Sequence, residues 1–139
     1  MAERRAFLWL KNAGFDVRRA GNRKMYFRVN HSGRTVDYTL VGRADYLTDD
    51  LIVEVKASRP KARYMLPYLA QLNLYMLMYE VDNGILLFGD GTFLKVRRSD
   101  FIIRQSLSYF AELAEHIRKL ELPDGEPAFC NGCPFRGLY

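Results

Sequence analysis

The segment Gly42-Arg43-Ala44-Asp45-Tyr46, followed by Leu51-Ile52-Val53-Glu54-Val55-Lys56, concentrates residue types able to handle a phosphate or a metal ion. Successive side chains of a strand point to opposite faces. An extended 51–56 run therefore puts Leu51, Val53 and Val55 on one face and Ile52, Glu54 and Lys56 on the other. Glu54 and Lys56 then project side by side from an otherwise apolar strand, where a charge is costly unless paired or bound. Asp45 lies nine residues before Glu54, across the turn signal Thr48-Asp49-Asp50, and hairpin geometry can bring it opposite the end of the second strand. One outcome is a cross-strand ion pair between Lys56 and a carboxylate. The other is a site for a hard divalent cation, with Asp45 and Glu54 supplying the oxygen ligands that Mg²⁺ or Mn²⁺ prefers. Such a cation lowers the pKa of a water and polarises a phosphate. Lys56 would orient that water and offset the growing negative charge.

The elements that must position these residues are legible as alternating signals. Ala2–Ala13 carries apolar residues at helical spacing, with Gly14 as its stop. Short β-like runs follow at 15–19, 25–29 and 35–40, separated by Gly21-Asn22 and His31-Ser32-Gly33. The third run is expected to continue through Val41–Leu47, and 51–56 is the next strand. A basic loop is expected from Pro60 to Leu66, carrying Lys61 and Arg63. Pro67 then suits the first turn of a helix ending near Asp82. Segments 84–88 and 92–96 flank Gly89-Asp90-Gly91 as a hairpin. Ser99 is a cap for a second long helix reaching about Leu120, whose apolar residues follow the helical period. The order helix, strands, helix, strand pair, helix predicts an α/β domain over 1–120. Its central sheet should be mixed, mostly antiparallel and flanked by helices. An irregular tail over 121–139 carries Cys130-Asn131-Gly132-Cys133.

On the helix after the Glu-x-Lys strand, Gln71 and Tyr75 stand at i and i+4, hence on one face. The Asp45…Glu54-Val55-Lys56 pattern resembles that of the PD-(D/E)xK nuclease superfamily. The added Gln-x-x-x-Tyr helix, its continuation Met76-Leu77-Met78-Tyr79 and the strand Gly84–Phe88 are similar to RecB-like nucleases. Within these, the likeness is to the CRISPR-associated RecB-like exonucleases and their viral relatives. It extends over residues 36–98 and the tail. The resemblance implies a restriction-endonuclease-like fold. It also implies Asp45, Glu54 and the Val55 backbone carbonyl as holders of the metal, Lys56 as the residue orienting the nucleophilic water, and Gln71 and Tyr75 as residues that contact DNA or brace the site. Superfamily members also commonly have an acidic residue in the first helix, and Glu3, eleven residues before Gly14, fits that spacing. A glutamate at a helix start is equally a surface residue complementing the helix dipole. From charge and position, Lys61 and Arg63 are candidates for gripping the nucleic-acid backbone.

The same exonucleases usually carry four cysteines for an iron–sulfur cluster, three of them at the C-terminus. Cys130 and Cys133 match the start of that pattern, but Tyr139 occupies the position of the last cysteine and there is no upstream one. Two thiolates do not complete a Cys₄ cluster. No intact cluster is expected in a lone chain, and the pair reads as a remnant that packs the tail, unless another subunit, His31 or His116 completes a site.

Composition bounds the remaining choices. With 139 residues, 49% hydrophobic and 14% aromatic, the chain suits one globular domain. The apolar stretch 66–81 is interrupted by Pro67, Gln71, Asn73 and Glu80, which argues against a membrane span. No secretory signal is legible, so the expected compartment is the cytoplasm. Residues 1–34 hold nine Lys/Arg against two acidic residues, whereas 35–139 hold twelve against fourteen. Fifteen of the 21 basic residues are arginine, the better planar partner for phosphate. The expected function is a Mg²⁺- or Mn²⁺-dependent deoxyribonuclease acting on DNA ends or single strands, as an exonuclease, alone, as a homo-oligomer or within a larger nuclease complex. Two alternatives are a Holliday-junction-type endonuclease and a nucleic-acid-binding or assembly subunit with little or no turnover.

Overall fold

The computed structural model describes residues 2–118, and of Ala2 and Glu3 the backbone alone. The chain forms α1 (Ala2–Asn12), β1 (Arg18–Arg19), β2 (Arg23–His31), β3 (Arg34–Gly42), β4 (Tyr46–Leu47), β5 (Leu51–Lys56), α2 (Ala62–Met78), β6 (Asn83–Phe88), β7 (Phe93–Arg97) and α3 (Asp100–Arg118). Five strands make one mixed sheet in the order β1-β4-β5-β6-β7, while β2 and β3 form a separate antiparallel ribbon. Within the sheet only β5 and β6 are parallel, and α2 is their crossover. The fold is therefore α/β, with the mixed, mostly antiparallel sheet flanked by helices that the alternation of signals predicts.

The two sheet faces bury different cores. On one, Val53, Ile85 and Leu87 meet Ala6 and the fully buried Leu10 of α1, with Leu51 and Val55 packed at the margin. On the other, Ile52, Leu86 and Phe88 meet Leu72, Met76 and Met78 of α2. The alternation expected along 51–56 is thus realised, and it places Glu54 and Lys56 on the α2 face. The third helix packs on α2 and on both strands of the ribbon. Its start is fixed from α2. The buried Asn73 accepts the Ser99 backbone N–H at 2.7 Å through Oδ1 and donates through Nδ2 to the Leu69 carbonyl at 2.8 Å. Ser99 caps the helix as expected, its Oγ accepting the Ile102 N–H at 3.3 Å.

Several boundaries differ from the sequence reading. The third β-run does not continue through 41–47. Pairing stops at Gly42, and Arg43–Asp45 are irregular because the Asp45 N–H is taken by a side chain rather than by a neighbouring strand. The expected 60–66 loop is shorter, since α2 begins at Ala62, with Lys61 as its N-cap residue and Arg63 in its first turn. Pro67 consequently lies inside the helix, where its missing N–H leaves the Arg63 carbonyl without a helical donor. The same helix ends at Met78 rather than near Asp82. Glu80 adopts φ 59°, Val81 N–H bonds back to the Met76 carbonyl at 3.0 Å and Glu80 N–H to that of Leu77 at 3.3 Å, a Schellman closure without glycine.

Candidate active site

Strand register assembles the acidic pair. Tyr46 faces Val53 and Leu47 faces Ile52 across β4 and β5. One step further along that register sets Asp45 opposite Glu54, where regular β4–β5 pairing has ended. The two residues exchange side-chain bonds to each other's strand instead. The Asp45 N–H donates to Glu54 Oε1 at 2.8 Å, and the Val55 N–H donates to Asp45 Oδ2 at 2.8 Å. This clasp substitutes for two rungs of the ladder and fixes both carboxyl groups on the α2 face. Each carboxylate has a second oxygen outside the clasp. Glu54 is 4% exposed, and a carboxylate so placed is tolerated only with partners.

Lys56 supplies part of that compensation. Its Nζ lies 4.0 Å from Glu54 Oε2, 2.7 Å from Gln71 Oε1, to which it donates, and 4.4 Å from the centroid of the Tyr68 ring. With 15% of its side chain exposed, Lys56 is aimed by three groups rather than dangling in solvent. Tyr75, one helical turn beyond Gln71, lies near the acidic pair. Burial first, and the Glu54 charge second, raise its hydroxyl above the ordinary tyrosine value, while a hydrogen bond with Gln71 opposes them. The Tyr75 hydroxyl therefore stays neutral across the physiological range. Its ring fits because residue 42 is glycine, where a Cβ would stand 2.9 Å from Tyr75 Cε1.

Among the residues named from sequence, Asp45, Glu54, Val55, Lys56, Gln71 and Tyr75 thus stand together. Lys61 and Arg63 stand apart at the start of α2, both exposed, with the Arg63 guanidinium 4.9 Å from the Tyr64 ring and bonded to its hydroxyl at 2.9 Å. The Glu3 side chain lies outside the described residues, and the helix that carries it packs on the opposite sheet face from Glu54. Cys130 and Cys133 also lie outside them. Among the described residues no group of three or more His, Cys, Asp and Glu is placed to hold a metal. The Asp45–Glu54 pair still offers the hard oxygen donors that suit Mg²⁺ or Mn²⁺, ions that protein sites commonly hold by one or two carboxylates with water and phosphate completing the shell.

Sequence reasoning missed two features of the site. Tyr79 reads in sequence as one more aromatic of an apolar helix. Its hydroxyl accepts the Ala44 N–H at 3.2 Å and donates to the Gly21 carbonyl, so it locks the backbone immediately before Asp45. The second is a cavity of about 950 Å³ between α2, α3 and the end of β3. Leu40, Leu66, Leu74, Phe101, Tyr109 and Phe110 are among its walls, and Lys56, Gln71 and Tyr75 open into it. Among the described residues, Lys56 is the one charged side chain in its lining. No local pattern encodes either feature, because each arises from residues distant in sequence.

No protein-family model matches the chain, and no curated protein is similar to it. Comparison of folds finds the crystal structure of SSO0001, with a TM-score of 0.64 and 20% identity over 99% of this chain. The chain spans 66% of the length of that protein. This likeness establishes the α/β fold on which the site is built.

Proposed function

We propose that the chain is a Mg²⁺- or Mn²⁺-dependent deoxyribonuclease that hydrolyses phosphodiester bonds, acting as an exonuclease on DNA ends or single strands. The observation that carries this reading is the Asp45–Glu54 clasp with Lys56 held beside it by Gln71. Asp45, Glu54 and the Val55 carbonyl are the groups that would hold the cation. When bound, a hard divalent cation supplies positive charge beside the phosphate and favours hydroxide formation from water. The protein's own part is positional. The clasp keeps both carboxyl groups side by side, Lys56 offers an ammonium group to the developing negative charge, and Gln71 and Tyr68 stop that ammonium from collapsing fully onto Glu54. The aromatic and aliphatic walls of the adjoining cavity suit unstacked bases rather than a paired helix, which supports single strands or frayed ends as substrate. Lys61 and Arg63 are candidates for backbone contacts further along the strand.

One observation favours the second reading, a nucleic-acid-binding or assembly subunit. The pair has no third acidic or imidazole ligand beside it among the described residues. End-labelled single- and double-stranded DNA, incubated with Mg²⁺, Mn²⁺ or chelator, separates the two. The proposal expects cation-dependent shortening of the label that chelator abolishes. Binding without any cleavage, in every metal, would leave the second reading in its place.

A further inference from the structure

Two arginines other than Arg63, which charge and position single out in the sequence, are tied to the acidic pair through the ribbon. Across the ribbon Arg23 faces Gly42, so both lie on the same side of it. That side meets α2. The Arg23 guanidinium lies 5.0 Å from the Tyr79 ring centroid, and Tyr79 meets Tyr75 edge-on at 6.3 Å. Because the Tyr79 hydroxyl also holds the Ala44 N–H, Arg23 and Asp45 are referenced to one anchor. Arg43 follows Gly42, two residues before Asp45, and is exposed.

The stack on Tyr79 and the place beside Asp45 set these two apart, and both are also without a carboxylate partner, as are Arg19, Arg34, Arg97 and Arg104 among the described residues. Arg18, Arg28 and Arg98 each have a carboxylate partner, Asp49, Asp37 and Asp100. Among the described residues neither Arg23 nor Arg43 takes part in an ion pair or a side-chain hydrogen bond. A guanidinium stacked by one face on a tyrosine is oriented while its N–H edge stays available, and that edge matches two oxygens of a phosphate.

We infer that Arg23 and Arg43 form a phosphate grip at the base of the β2–β3 ribbon, holding a backbone phosphate that flanks the one handled at Asp45 and Glu54. The inference rests on the nuclease reading for what occupies the acidic pair. It implies a substrate at least two phosphates long and a path that passes from the cavity over Tyr75 toward Tyr79.

The test measures binding of a fluorescent single-stranded DNA oligonucleotide by anisotropy in chelator, over a salt series, for wild type, Arg23→Gln, Arg43→Gln and Lys95→Gln. Each arginine variant should lower the magnitude of the log-affinity against log-salt slope by roughly 0.7, the value for one lost phosphate contact on a single strand. Lys95→Gln, on the far edge strand, removes the same charge and should keep the wild-type slope. A wild-type slope in Arg23→Gln, or an equal loss in Lys95→Gln, would overturn the grip. If Arg23→Gln unfolds for want of its stacking on Tyr79, Arg43→Gln carries the test. Cleavage by the wild type with unchanged slopes in the variants sinks the grip alone, whereas a wild type that neither binds nor cleaves sinks both readings.

Discussion

At the scale of single residues, charge and hydrogen bonding at Asp45 can be separated. Its Oδ2 accepts the Val55 N–H, so Asp45 is a structural acceptor as well as a candidate ligand. Asp45→Asn retains a carbonyl oxygen for that N–H and removes the charge. It should abolish cation-dependent cleavage while leaving the melting temperature near wild type. Asp45→Ala should also abolish cleavage, but it leaves a half-buried donor unsatisfied, at a cost of about 1–3 kcal/mol. Parallel activity assays and thermal melts check both outcomes. Equal activity in Asn and wild type would remove Asp45 from the chemistry. The residue types were readable because Glu-x-Lys in an apolar strand is improbable as mere surface. The reciprocal clasp was not, since it depends on where β4 stops pairing.

At the scale of elements, tight turns decide whether β5 and β6 can run parallel at full length. Gly89, just past β6, donates its N–H to the Ser58 carbonyl at 3.2 Å, and a Cβ there would overlap the Ala57 carbonyl oxygen. Because the obstacle is backbone rather than a side-chain tip, Gly89→Ala should cost about 1–3 kcal/mol. Gly91→Ala has space but sits at φ 88°, and its smaller loss should come from conformation alone. Urea titrations of the two variants compare them. The hairpin around these glycines, the Leu51–Lys56 strand and the Ser99 cap were all legible from local chemistry. The end of α2 at Met78 is set by its own Schellman bonds, whereas two other misplaced features were decided by a tertiary partner. Glu54 ends the third β-run by taking the Asp45 N–H, and packing of α2 on the sheet tolerates a proline that local rules put in its first turn.

For the molecule as a whole, the ribbon is attached to α3 through Tyr38, whose hydroxyl donates to the Leu107 carbonyl at 2.7 Å. Burial pushes this tyrosine up to about 12. Since the unfolded value is about 10, its contribution to stability is complete below that pH and is lost as pH rises toward 12. Thermal melts should therefore fall between pH 10 and 12, and less steeply for Tyr38→Phe. An identical slope in the variant would show that Tyr38 does not govern it. The same scale includes residues 119–139, which lie outside the described part. Two thiolates are too few for a cluster within one chain. Purified protein should be colourless and free of stoichiometric iron, and the double variant Cys130→Ser/Cys133→Ser should retain cleavage. A brown preparation, or a variant without activity, would point to a cluster shared between chains.

The parallel pairing of β5 and β6 also sets an order of events during folding. The β2–β3 and β6–β7 hairpins, and the short β4–β5 turn that brings Asp45 to Glu54, close over few residues. Lys56 reaches Gln71 only when the 17-residue α2 has docked, and β5 reaches β6 only across the whole of that crossover. Loop closure of this length is the slower step. Pulsed hydrogen exchange during refolding should accordingly protect the ribbon amides before those of β6 that face β5. The acidic pair would then exist, for a short interval, as a charged hairpin awaiting its lysine's second partner.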